Sequence, residues 1–79
     1  MMSSRKVVEY VLAKPFRPFR IKMASGQTYE VPHPEFILVG RTSVRVFDPG
    51  EPDSQVADKW HDVSYLLMET LEPIGPAAA

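Results

Sequence analysis

The spacing of apolar residues changes period once along the chain, and that change divides it. Val7, Val8, Val11 and Leu12 recur at helical spacing behind Ser3 and Ser4, either of which can cap a helix, and Pro15 forbids continuation. The pattern predicts a short amphipathic helix over about residues 4–13. So short a helix is unstable alone in water, so its apolar stripe must rest on another element, and a sheet is the expected support. From Phe19 the period becomes two: Phe19, Ile21 and Met23 face one way, and Arg20, Lys22 and Ala24 the other. Ser25-Gly26 supplies a hairpin turn, glycine accepting the positive φ such turns need, and Gln27 to Val31 return with Tyr29 and Val31 on one face.

The stretch VPHPEFILVG, residues 31–40, interrupts this alternation. Pro32 and Pro34 carry no amide hydrogen and cannot sit in the middle of a paired strand, so the chain is expected to turn a corner here. His33 and Glu35 dress that corner, the imidazole being expected to hydrogen-bond exposed backbone groups. Phe36 to Val39 is apolar without alternation and predicts a strand buried on both sides or clamped between sheet and helix. Gly40 to Ser43 reads as a turn, Val44 to Phe47 as the returning strand, and DPGEPDS, residues 48–54, as a surface loop. Val56 to His61 predicts another strand, Asp62-Val63-Ser64 a single turn, Leu66 to Glu72 the last strand, and residues 73–79 a tail. The expected fold is mainly β (α+β): one domain over residues 1–79, a helix and then five or six antiparallel strands. Over about residues 16–72 the sheet bends strongly towards a small barrel, which also hides its edges.

Composition narrows the setting. Seventy-nine residues support one small core, and with no cysteine neither a disulfide framework nor a thiolate metal site staples it, so a reducing, cytoplasmic location is expected. MMSSRKVVEYVLAKP has only a short apolar stretch broken by Glu9 and Lys14 and does not read as a signal peptide; no segment is long enough to span a bilayer. Nine Lys and Arg against ten Asp and Glu give a formal net charge of −1, without bulk attraction for a phosphate backbone. The distribution is uneven: Arg5, Lys6, Lys14, Arg17, Arg20 and Lys22 face Glu9 alone in the first part of the chain, while most acids fall in residues 48–72.

The order of elements, with a first hairpin turning at Ser25-Gly26, an aromatic at Phe36 and the run Lys59-Trp60-His61-Asp62-Val63-Ser64 before the last strand, resembles the Sm-like, SH3-type small barrel of the bacterial RNA chaperone Hfq. In that family a polar residue and phenylalanine opening strand three, and an aromatic, lysine and histidine ending strand four, line a uridine-binding face. The resemblance places those roles on Glu35 and Phe36 and on Lys59, Trp60 and His61, with a glutamate standing for an amide and the aromatic and lysine exchanged in order. The segment PFRPFRIKMASGQTYEVPHPEFILV is also similar to a group of small hypothetical bacterial proteins with a comparable FRPF and HPEF pattern, a resemblance that implies no activity.

The residue chemistry points away from catalysis. There is no thiol, the serines stand in turns or near the termini, and the scattered glycines form no phosphate-cradling loop, so no catalytic residue is assigned. His33 with Glu35 and His61 with Asp62 supply the elements of a zinc or proton-transfer site, but neither spacing matches a ligand motif, and no metal or cofactor is expected; a metal or small-ligand site at His33 and His61 is the most distant alternative. Arg17, Arg20 and Lys22 beside Phe16, Phe19 and Tyr29 form a basic and aromatic mixture of the kind single-stranded nucleic acids use. Trp60 is either a core residue or an anchor at a protein interface, and edge strands near residues 44–61 invite pairing with another copy. The leading expectation is a small-barrel module acting through protein contacts, its own copies among them. The alternative is an Sm-like RNA binder using Lys59, Trp60, His61 and the Arg17 to Lys22 face.

Overall fold

Helix α1 spans Ser4–Val11, two residues shorter than the spacing predicts. The structure is a computed structural model that describes residues 2–49 and 57–75. Ser3 caps the helix, its Oγ accepting the Lys6 amide at 3.3 Å, and the Leu12 amide closes it by donating to the Val8 carbonyl at 2.8 Å. The chain then leaves through Lys14–Pro15, a cis peptide. Val7 is fully buried, and Tyr10 meets the Phe19 ring edge-on at 5.2 Å, which holds the helix on the sheet below.

Six strands follow among the described residues: β1 (Phe19–Met23), β2 (Thr28–Val31), β3 (Ile37–Val39), β4 (Ser43–Pro49), β5 (Ala57–Ser64) and β6 (Met68–Pro73), with 3-10 turns at Pro34–Phe36 and Tyr65–Leu67. They form two three-stranded sheets, β2-β1-β6 and β3-β4-β5, antiparallel in every ladder. The chain is therefore mainly β with one N-terminal helix, its strands divided between two sheets. Phe19, Ile21 and Val31 from the first sheet, and Val44, Val46 and Val63 from the second, belong to one core cluster with Val7. Gly26 turns the first hairpin at φ 95°, as the sequence requires.

Each passage between the sheets is a single 3-10 turn. The first lies at the expected corner: Pro34 occupies its opening position, where an amide hydrogen has no helical partner, and the Phe36 amide donates to the His33 carbonyl at 3.1 Å. The imidazole does not cap this turn as the sequence suggests; it lies against the Phe36 ring, centroids 5.9 Å apart. The Phe36 amide, one of those such a cap would serve, is taken by the His33 carbonyl instead. Phe36 belongs to the corner, not to the strand. In β3 only Ile37 is buried, Val39 is half-buried and Leu38 is exposed, so the apolar run is covered on one side and not on both.

The second passage is displaced from its expected place. Asp62-Val63-Ser64 continues β5 because Val63 pairs with the buried Val44 and Asp62 with Arg45, and this cross-strand partnership overrides the local turn preference of Asp and Ser. The turn comes at Tyr65–Leu67, where Ser64 Oγ accepts the Leu66 amide at 3.2 Å and the buried Tyr65 donates its hydroxyl to the Gly40 carbonyl at 2.6 Å. The last strand consequently opens at Met68 instead of Leu66 and runs into Pro73, which the sequence assigns to the tail; the Ile74 amide then donates to the Pro18 carbonyl at 3.0 Å. Strand β4 extends to Pro49, taking the first residues of the expected surface loop; its remainder, residues 50–54, and residues 76–79 of the tail lie outside the described residues.

Candidate functional site

Strand alternation gives each sheet one face towards the core and one away from it, and the two outward faces differ in chemistry. On the first sheet Arg20, Lys22, Glu30, Thr70 and Glu72 point outward. Arg20 Nη2 lies 3.0 Å from Glu30 Oε2 and Lys22 Nζ 3.6 Å from Glu69 Oε1. This face is polar, and two of its cations are matched by carboxylates.

On the second sheet the outward positions include Leu38 on β3, Ser43, Arg45 and Phe47 on β4, and Trp60, Asp62 and Ser64 on β5. Leu38 is 60% exposed and Trp60 55%, while Phe47 is half-buried. Large apolar side chains on adjacent strands of one outward face are the kind of surface that marks an interaction site. Arg45 holds Asp62 through two bonds, Nε to Oδ1 at 2.9 Å and Nη2 to Oδ2 at 3.4 Å, and its guanidinium carbon stands 5.4 Å from the centre of the Trp60 ring. The hydrogen bond from Arg45 draws the Asp62 carboxyl below the usual carboxylate range, and the same bond raises Arg45.

The remaining candidate residues lie elsewhere. Alternation splits the Lys59-Trp60-His61 group: Trp60 faces out, whereas His61 is on the inward side of β5 beside Val63. There its ring lies tilted against Tyr29 from the first sheet, centroids 5.2 Å apart, and Nε2 sits 3.2 Å from Asp48 Oδ2, so the imidazole bridges the rims of the two sheets. Lys59 is exposed opposite Asp48. Glu35, exposed, and Phe36, half-buried, belong to the first corner, and Arg17 is exposed ahead of β1. The eight positions suggested by sequence therefore do not converge on one surface. His33 and His61 are likewise carried by separate elements, and among the described residues no three histidines or carboxylates gather in the manner of a metal site.

Two concavities lie at other parts of the fold, the second of them reaching Asp62 at the border of the aromatic face. One, about 460 Å³, opens between the start of α1 and the β3–β4 turn, with Met2, Ser3, Thr42, Tyr65 and Leu66 among its walls and Arg41 as its charged residue. The other, about 210 Å³, lies between the tip of the first hairpin and the end of β5. Hydroxyls and apolar groups line most of the first, and in the second Asp62 lies among Ser25, Ser64, Met23 and Leu67.

Of the three large apolar residues on this face, the sequence singles out Trp60 and does not single out Leu38 or Phe47. The signal for Phe47 is present in Val44-Arg45-Val46-Phe47, where period two sets Phe47 with Arg45, away from the valines. Leu38 was hidden within an unbroken apolar run. No protein-family model, no curated protein and no solved structure matches this chain.

Proposed function

We propose that this chain is a non-catalytic module, a small barrel of Sm-like or SH3-like plan, that works in the cytoplasm by protein contact and counts its own copies among its partners. The observation that carries the reading is the contrast between the outward faces: Arg20 and Lys22 are matched by glutamates on the first sheet, while Leu38, Phe47 and Trp60 meet water on the second. Exposed tryptophan beside arginine is the composition of an interface anchor. The barrel plan is supported by the two 3-10 corners, which fold both sheets around one core beneath α1. The FRPF and HPEF pattern further suggests kinship with small bacterial proteins.

Sedimentation velocity from micromolar to millimolar protein tests the reading. The average mass of the wild type is expected to rise with concentration, and that of Trp60→Ser and Leu38→Ser to remain monomeric. A wild type that stays monomeric throughout removes self-association from the reading.

Single-stranded RNA is the second reading, supported by the Arg45 guanidinium beside the exposed Trp60 ring, a cation next to a stacking platform, with Lys59 and Arg17 also exposed. Its signature is retention of labelled oligouridine that weakens as salt rises; no retention at low salt removes it.

A further inference from the structure

We propose that a second copy of this chain covers the outward face of the second sheet, the two faces packing about a two-fold axis that runs along the strands midway between β4 and β5. The proposal rests on the protein-contact reading and names its partner and register. Arg45 stands opposite Asp62, and Phe47 opposite Trp60. Rotation about that axis lays β4 of one copy over β5 of the other, so both cross-strand pairs exchange together. Arg45 then meets Asp62 of the second copy, and Phe47 meets Trp60 of the second copy, with aligned sheets about 10 Å apart, a gap that side chains of this size fill. Leu38, one strand further out, lies over the free edge of the second copy's β5.

Charge selects this occupant. Arg45 and Asp62 stand together on the face, one of each sign and 2.9 Å apart, so the pair is neutral and offers little to a polyanion or to a strongly charged protein. A copy of the same face brings the same pair reversed and completes a ring of four alternating charges without breaking either internal bond. Area sets the strength. Strand spacing and rise give the overlapping strands β4 and β5 a footprint of about 10 by 20 Å, on the order of 200 Å², well under the ~800 Å² per partner of a standard interface. The pairing is therefore weak and depends on concentration.

The test is a charge-swap mixture. Arg45→Asp and Asp62→Arg each set like charges against each other across the interface, and each is expected to lose at least about tenfold in self-affinity. Mixed in equal amounts, one copy presents two carboxylates and the other two guanidiniums, so association recovers by sedimentation velocity. Within each chain the like-charge pair persists in the mixture, so a role confined to one chain predicts no recovery. Trp60 is the single tryptophan, and in the wild type its emission is expected to move to the blue as the mass rises, a readout that needs no variant. Association of the wild type without recovery in the mixture of folded variants, or with unshifted emission, overturns this pairing and leaves the protein-contact reading standing. A wild type monomeric over the whole range overturns this pairing and removes self-association from the protein-contact reading.

Discussion

Tyr65 does two things at one position. Its ring is buried with the core, and its hydroxyl reaches the Gly40 carbonyl at 2.6 Å, tying the second corner to the β3–β4 turn. Tyr65→Phe keeps the ring and leaves that carbonyl short of a donor, an expected loss of about 1–2 kcal/mol by urea unfolding. Burial pushes the Tyr65 phenol above its usual range. The neutral form is thus favoured in the fold, and its contribution is complete below the unfolded phenol value and lost as pH rises through the folded one. Tyr65→Phe is expected to lack that alkaline decline. Gly40 is constrained by space: a Cβ there would stand 2.7 Å from the Ser43 carbonyl oxygen, the same oxygen that accepts the Gly40 amide at 2.9 Å. Gly40→Ala must move backbone and is expected to destabilise by about 1–3 kcal/mol in the same measurement.

Elements were legible where one local signal decided them. Ser3, the valines and Pro15 announced α1, Ser25-Gly26 the first hairpin, and Pro32 and Pro34 the first corner. The sequence was misleading where tertiary pairing chose between two local options. Asp62 and Ser64 favour turns, yet Arg45 opposite Asp62 and Val44 opposite Val63 hold the segment in β5. The Phe36 to Val39 run carries no period, so nothing local could reveal that Leu38 faces out. The candidate site suffered for the same reason, since consecutive Lys59, Trp60 and His61 look like one group until the pleat assigns them to opposite sides. The one-sided burial of β3 gives a direct comparison. Ile37→Ala is expected to cost about 2–5 kcal/mol, whereas Leu38→Ser changes stability by no more than about 0.5 kcal/mol, both read from denaturant midpoints.

Across the whole molecule, electrostatics act differently at the two outward faces. The bond from Arg45 lowers the folded value of Asp62, so the associated stability is present above the unfolded carboxylate value and is lost as pH falls through the folded one. Asp62→Asn is expected to flatten that part of the acid limb in a series of urea titrations, by a small amount because the pair is exposed. The two sheets depend on each other through the core, and the first depends on distant sequence as well. Strand β1 lies between β2, its neighbour in the chain, and β6, which sets Pro73 opposite Phe19. During synthesis on the ribosome, then, the nascent chain can form the early hairpin but leaves one flank of β1 open until Pro73 has cleared the exit tunnel. Protease resistance of translationally stalled chains is expected to arrive late and in one step, and until then Phe19 and Ile21 are the residues most in need of a chaperone.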